Sequence, residues 1–422
     1  MQGAGTLHRA AMDELSRLDI DLAAISRNLG EIRRVVGEDC RICPVVKSDA
    51  YGLGLQRVVP TLEEAGADMF AVFAPREAVE FLSTGSRVPV LVLMPVRDLS
   101  MVDPMYPGLR TGQVHLVVHD TAHLDLLESY AEELDVLLRL HLKLNTGMHR
   151  GGCDPGEGSA LLERIMNSPR LHLAGICTHF SSSSTCRETT DRQLDRFESF
   201  LATNAELIDS DCLLHCASTA SVMFGSRFTR NMVRVGLGWV GTCPSASGDA
   251  SIPGLSPSLR WTSAIVQVRA VPAGEPVGYD GTWRPARDSI IGIVPVGYAD
   301  GYPVRPSSIE PSALPQVVGL LRNDRVIGYA PVVGVVSMDQ MTIDLTGVVA
   351  EDSIGSVGRV ELLSSVPGAP NGLRELATAS GMKPHAVIAR LHPRIRRAVL
   401  AEQPRIDGRA GLDRLQSGAN VV

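Results

Sequence analysis

In the stretch Pro44-Val45-Val46-Lys47-Ser48-Asp49-Ala50-Tyr51-Gly52-Leu53-Gly54, a lysine directly follows an apolar run and a glycine-rich turn directly follows the lysine. Only a desolvated lysine with a proton affinity near neutrality makes a good imine former. Taken alone, Lys47 reads as a solvated strand end, but its neighbours change that reading. Gly52 and Gly54 permit close backbone approach to a ligand, and Tyr51 sets a phenolic donor four residues from the amine, suited to a phosphate oxygen. Four later stretches place further candidates after short apolar runs: His141-Leu142-Lys143-Leu144-Asn145-Thr146-Gly147-Met148-His149-Arg150, Thr178-His179-Phe180, His215-Cys216-Ala217-Ser218-Thr219-Ala220, and Val233-Arg234-Val235-Gly236-Leu237-Gly238-Trp239-Val240-Gly241. By spacing alone, Arg150 is equally a surface residue, His179 a satisfied structural histidine and Tyr279 a turn residue. The last stretch contains a GxGxxG string. A dinucleotide fingerprint opens the first βα unit and has an acidic ribose ligand downstream, whereas this string closes the last unit.

The elements that must position these residues can be read from hydrophobic periodicity. Leu18 to Leu22 alternates like a half-buried strand, and Leu22, Ile25, Leu29 and Ile32 then recur at helical spacing. Short apolar runs follow at Ile42–Val46, Met69–Phe73, Val90–Met94, Val114–Val118, Leu138–Leu144, Leu173–Cys177, Leu213–Cys216 and Val233–Val235, with amphipathic stretches between them. Eight strands alternating with helices over roughly 200 residues predict an α/β fold, a parallel (β/α)8 barrel resembling the TIM barrel, with an open doubly wound sheet as the alternative. Lys47, Arg150, His179, Thr219 and Gly236 then lie just past the carboxyl ends of barrel strands one, five, six, seven and eight. Those ends converge on one mouth, where barrels build their sites.

Beyond Gly241 a connector rich in Pro, Gly and Ser marks a domain boundary. Leu259–Val271, Ser289–Val296, Val317–Leu321 and Val326–Val336 read as strands of a mostly antiparallel C-terminal domain, and Leu373–Ala379 as a helix. The expected division is an N-terminal extension and strand joining the β domain over 1–28, the barrel over 29–245, the β domain over 256–397 and a peripheral tail over 398–422. No internal repeats are visible.

Over roughly residues 16 to 397 the sequence resembles the alanine racemase family, fold-type III enzymes that use pyridoxal 5'-phosphate (PLP). Each motif above has its counterpart in that family. The resemblance implies that Lys47 carries the cofactor as a Schiff base, that Tyr51, Ser218, Thr219, Gly236, Leu237 and His385 stand at positions around the cofactor, and that Arg234 bonds its pyridine nitrogen. It implies that Arg150 bonds the cofactor's phenolic oxygen and orients the substrate carboxylate, and that His179 stacks on the ring and bonds the catalytic tyrosine. Lys143 matches a lysine that is carbamylated in some members. Glu275-Pro276-Val277-Gly278-Tyr279, Pro295-Val296-Gly297-Tyr298-Ala299-Asp300-Gly301-Tyr302 and Ser337-Met338-Asp339 match the family's C-terminal motifs, with Met338 beside the substrate. Racemisation needs one base on each face of a planar intermediate, and the resemblance assigns these roles to Lys47 and Tyr279. In the family that tyrosine comes from the partner subunit, which implies a homodimer with shared active sites.

Three positions depart from the family pattern. His385 stands where tyrosine is usual, Ser218 where asparagine is usual, and Asn145 where aspartate is usual. These departures leave open alanine or a serine-like substrate. Other readings are a non-catalytic PLP-binding protein, against which the second domain with Tyr279 counts, and a related decarboxylase, lyase or aldolase; the decarboxylases' EPGR element is missing.

Bulk properties set the outer bounds. The 422 residues carry a formal charge of −7 and a pI near 5.9, which gives no electrostatic advantage on nucleic acid or an anionic membrane. Small molecules are the expected partners. The cysteines include one CxxC pair, Cys40 and Cys43, with no second pair or clustered histidine, so no metal is expected. With no apolar signal segment and no run long enough to span a bilayer, a soluble cytoplasmic protein is expected.

Overall fold

The computed structural model describes residues 15–243, 252–305, 315–348 and 357–400. Strand β1 (Ser16–Ile20) leads into the helix Leu22–Val36. The expected strand extended to Leu22, but Asp21 ends it by capping the helix, its carboxylate accepting from the Ala24 amide at 2.8 Å.

Eight parallel strands follow: β2 (Arg41–Pro44), β3 (Phe70–Val72), β4 (Val90–Val92), β5 (Val114–Val118), β6 (Leu138–Lys143), β7 (Leu171–Cys177), β8 (Leu213–His215) and β9 (Met232–Val235). β3 to β8 form one six-stranded parallel sheet, and β2 pairs with β9. Single bridges at Val45–Ala71 and Ser218–Arg234 join the two groups and close a barrel. Helices Leu55–Glu64, Pro75–Leu82, Thr121–Glu133, Pro155–Asn167 and Arg187–Thr203 alternate with these strands; in each, the buried residues recur at helical spacing.

The strand interiors divide by chemistry. Cys43, Met69, Ala71, Leu91, Val117, Leu213 and Met232 form an apolar cluster of their own. The other part is polar: His115, His141, His215 and Arg234 are all buried. On β6 the two faces are clear in the sequence, since Leu138, Leu140 and Leu142 are buried while Arg139, His141 and Lys143 alternate with them. The leucines join the main core, and the basic face supplies lining residues to the barrel's cavities.

The C-terminal strands are β10 (Leu259–Ala264), β11 (Gln267–Val271), β12 (Ser289–Val294), β13 (Val317–Arg322), β14 (Arg325–Val333), β15 (Met341–Asp344), β16 (Arg359–Leu363) and β17 (Arg396–Val399). With β1 they form a nine-stranded sheet in the order β11-β12-β15-β14-β13-β16-β10-β1-β17, antiparallel except at the β1–β17 pair. The run Leu259–Val271 is two strands rather than one. Its break falls where the Ile265 amide donates to Gly358 and the Val266 amide to Ile293, so the chain passes from the β16 side to the β12 side. The strands β15, β16 and β17 lack the long β-branched runs that mark their neighbours. Most of the tail expected over 398–422 lies outside the described residues. Among the described residues no helix is long and apolar enough to cross a membrane.

Candidate active site

Lys47 stands three residues beyond β2, and the segment after it takes an unexpected form. Ser48, Asp49, Ala50 and Tyr51 all have φ between 53° and 59°, and Gly52 follows at 79°. This is a left-handed helical turn, which costs L-residues about 1–2 kcal/mol each. Neighbouring groups hold it in place. The Glu77 carboxylate accepts from the Ser48 amide and also from the Phe73 amide, each at 2.7 Å. The Asp49 carboxylate accepts from the Leu55 amide at 2.7 Å, and Arg397 of β17 donates to the Gly52 carbonyl at 2.9 Å.

The turn swings Tyr51 under the barrel mouth. Its ring stacks on Trp239 with centroids 5.5 Å apart and planes within 6°, while the Trp239 indole donates to the Val45 carbonyl at 3.1 Å. His385, on the helix Pro384–Ala389, meets the Tyr51 ring edge-on at 5.8 Å. A Cβ added to Gly236 would lie 2.4 Å from the Tyr51 hydroxyl, so only glycine leaves that corner open. Beside it, the Thr219 hydroxyl accepts from the Gly236 amide at 3.2 Å and from the Gly238 amide at 3.1 Å.

A cavity of about 870 Å3 opens at this mouth, and Lys47, Tyr51, Lys143, Arg150, His179, Ser218, Thr219, Arg234, Gly236 and His385 all line it. Leu237 is buried next to the cavity but outside its lining. Tyr279 and Met338 do not line it either; both lie in the C-terminal domain and are exposed, Tyr279 at 67%.

Four cations, Lys47, Lys143, Arg150 and Arg234, line the cavity together with three carboxylates, Asp120, Asp154 and Glu157. Burial lowers the proton affinity of Lys47, and Arg150 lowers it further, with Glu77 opposing. Lys143 is lowered mainly by burial, and Arg150 and Arg234 add to that, against Cys177. The side chains of Lys47, Lys143 and Arg150 make no hydrogen bond or ion pair among the described residues. His179 is pushed down to about 3, first by burial and then by Arg234, Arg150, Lys143 and Lys47, so its imidazole is neutral. Arg234 donates to the His215 ring at 2.5 Å, to the His215 carbonyl at 2.8 Å and to the Thr178 carbonyl at 2.7 Å.

The loop carrying Arg150 is built around Asn145. Its side-chain carbonyl accepts from the amides of Gly147 and His149, and its side-chain nitrogen donates to Asp154 at 3.2 Å. An aspartate would put a second carboxylate against Asp154, so asparagine suits this loop. Glu77, Trp239 and Arg397 escaped the sequence reading. The pattern offers no signal for them, because each acts on backbone far away in sequence.

The alanine racemase N-terminal domain family matches residues 20–244, and the alanine racemase C-terminal domain family matches residues 258–399. The chain belongs to the alanine racemase family. Family membership makes it an amino-acid racemase, an isomerase. It is 30% identical to the alanine racemase of Treponema pallidum subsp. pallidum over 90% of this chain and 98% of that one. Its fold superposes on the alanine racemase of D-cycloserine-producing Streptomyces lavendulae with a TM-score of 0.79 at 24% identity, over 92% of this chain and 97% of that one. A second such neighbour, the Bartonella henselae alanine racemase with covalently bound pyridoxal phosphate, gives a TM-score of 0.73 at 22% identity over 92% and 99%. These racemase-family folds share the pairing of a barrel with a β domain described above.

Proposed function

We propose that this chain is a PLP-dependent racemase of a small amino acid, alanine or a serine-like relative, working with two bases, Lys47 and Tyr279. The carrying observation is the cavity in which Lys47, Arg150, His179, Thr219 and Gly236 arrive from five different barrel strands. The lining fits a phosphorylated pyridine aldehyde. Lys47 offers an amine of lowered proton affinity, Gly236 leaves a corner open beside the Tyr51 hydroxyl, and Thr219 with the backbone at Gly236 and Leu237 would hold the phosphate as the family resemblance implies. Ser218 and His385 complete that surround.

When bound, the cofactor supplies an electron-withdrawing ring that acidifies the substrate's Cα–H. Arg234, a group that only donates, would sit at the ring nitrogen and disfavour its protonation, which would limit that withdrawal. Lys47 Nζ takes or gives a proton on one face of the α-carbon. The tyrosine hydroxyl does so on the other, with neutral His179 beside it setting its proton affinity. Arg150 orients the substrate carboxylate, and the partner subunit's Met338, like the partner's Tyr279, meets the substrate. A carbamate on Lys143 would supply the anion that Arg150 otherwise lacks.

The exposure of Tyr279, away from the cavity of its own chain, supports a head-to-tail homodimer in which the partner subunit's Tyr279 completes the site. The pairing of β1 with β10 and β17 supports the proposed domain division, with the N-terminal strand in the β domain. Buried thiols at Cys40, Cys43, Cys153, Cys177, Cys212 and Cys216 suit a reducing cytoplasm.

The edge-on contact of His385 with Tyr51 favours a second reading of the substrate. An imidazole there alters the wall beside the substrate side chain, and a polar or larger substrate such as serine would use it. Absorbance of the PLP-loaded protein shows whether Lys47 holds the cofactor, and chiral chromatography after incubation with single enantiomers shows whether racemisation follows. A lysine-bound cofactor with no racemisation of any small amino acid overturns the proposal.

A further inference from the structure

Behind Arg234 the barrel interior holds an unbroken row of imidazoles. The Arg234 guanidinium bonds His215 Nδ1 at 2.5 Å, His215 Nε2 meets His141 Nδ1 at 2.8 Å, and His141 Nε2 meets His115 Nδ1 at 3.0 Å. The three rings belong to β8, β6 and β5. His141 and His215 are fully buried and His115 is 6% exposed. His115 also borders a second cavity, of about 490 Å3, with Arg41, Arg87 and Arg139 in its lining. The row therefore connects the active-site cavity with a separate one.

Donor and acceptor inventories fix the direction of the row. A guanidinium has five donors and no acceptor, so His215 Nδ1 must accept. In a neutral imidazole the other nitrogen then carries the proton, so His215 Nε2 donates to His141 Nδ1. The same logic makes His141 Nε2 donate to His115 Nδ1 and leaves the His115 proton on Nε2, with the Gly112 backbone carbonyl bonding that ring. Each ring turns its lone pair toward the arginine.

Neutrality is imposed by the surroundings. The charged side chains acting on the three rings are Arg234 and Arg139, both cationic, with no carboxylate among them. Burial acts in the same direction. The barrel is also shaped to the row, since a Cβ on Gly175 would lie 2.4 Å from His141 Nδ1 and 2.7 Å from the Leu213 carbonyl. A buried arginine is normally paired with a carboxylate; this one instead rests on oriented neutral dipoles.

We infer that His141 and His115 are positioning residues for the racemase reaction: they lock the tautomer and orientation of His215, which in turn holds Arg234 in place as an uncompensated donor. Neither residue lines the catalytic cavity, so any effect on turnover travels through His215. The kinetic part rests on the racemase reading, whereas the tautomer part stands without it.

The test has two arms. Nitrogen-15 NMR of histidine-labelled full-length protein, with and without PLP, is expected to show His115, His141 and His215 as neutral Nε2–H tautomers from pH 5.5 to 8. An Nδ1–H tautomer or a protonated ring at His141 or His215 overturns the inference. In the second arm, His141→Leu removes both ends of the relay, and His141→Gln keeps an acceptor and a donor on one amide. The expected result is a fall in kcat of about tenfold for H141L with KM within about twofold, and partial recovery in H141Q, as for a buried donor left unpaired and then satisfied. A folded H141L with unchanged kcat overturns the inference. If H141L does not fold, the wild-type spectrum decides alone. If wild-type protein shows the Nε2–H pattern but racemises nothing, the function proposed above fails and the tautomer lock stands.

Discussion

The hydroxyl of Tyr51 faces the α-carbon of Gly236 so closely that a Cβ there would sit 2.4 Å away. Gly236 follows β9 and Tyr51 follows β2, two strands that pair in parallel at the closure of the barrel. Gly236→Ala is therefore expected to push Tyr51 off its stack on Trp239 or to close the corner beside it. Overpacking of this kind costs about 1–3 kcal/mol, which reads as roughly a 5- to 150-fold weaker grip on PLP. Equilibrium dialysis of PLP against the variant checks this, and an unchanged affinity refutes the crowded corner.

Two bases on opposite faces predict asymmetric damage. Tyr279→Phe should abolish exchange of the substrate α-hydrogen with D2O from one enantiomer and spare the absorbance of the lysine-bound cofactor. Overall racemisation should fall by roughly 100- to 10,000-fold. Proton NMR of each enantiomer in D2O reads the outcome, and equal exchange from both enantiomers would falsify the assignment.

His385 meets Tyr51 edge-on from the C-terminal domain. His385→Tyr should restore the usual wall and move the ratio of kcat/KM for alanine over serine upward by roughly tenfold, within the range a single pocket contact supplies. Steady-state rates on both substrates measure it. A ratio that does not move means that substrate choice lies elsewhere.

The buried histidines make stability depend on pH in a definite direction. Burial, reinforced by neighbouring cations, pushes His115 and His119 down to about 4, and His141 and His215 well down. Between the ordinary value near 6.5 and about 4, the unfolded chain binds protons that the folded chain refuses. Their contribution is therefore fully present above pH 6.5 and is lost as pH falls below it. Calorimetry should show Tm falling from pH 6.5 to 5, before most carboxylates titrate, and a flat Tm across that window would rule out neutral buried imidazoles.

Much of the site was legible along the chain because barrel strands are short apolar runs with chemistry at their carboxyl ends. Lys47, Arg150, His179, Thr219 and Gly236 were placed by counting strands, and all five line one cavity. The strands β15, β16 and β17 were not legible, since an antiparallel sheet accepts short, mixed segments once neighbours supply the pairing.

By itself the sequence determined the order of the elements, the residues at the strand ends and the family, because these follow from local periodicity and motif. Only the tertiary structure decided the rest. It alone shows the left-handed turn after Lys47, which Glu77 and Arg397 hold from distant segments, and the row of His115, His141 and His215 behind Arg234. The reason is physical. The backbone strain is offset by bonds between residues far apart in sequence, and a histidine on an apolar strand takes its meaning from the strands that the closed barrel sets beside it.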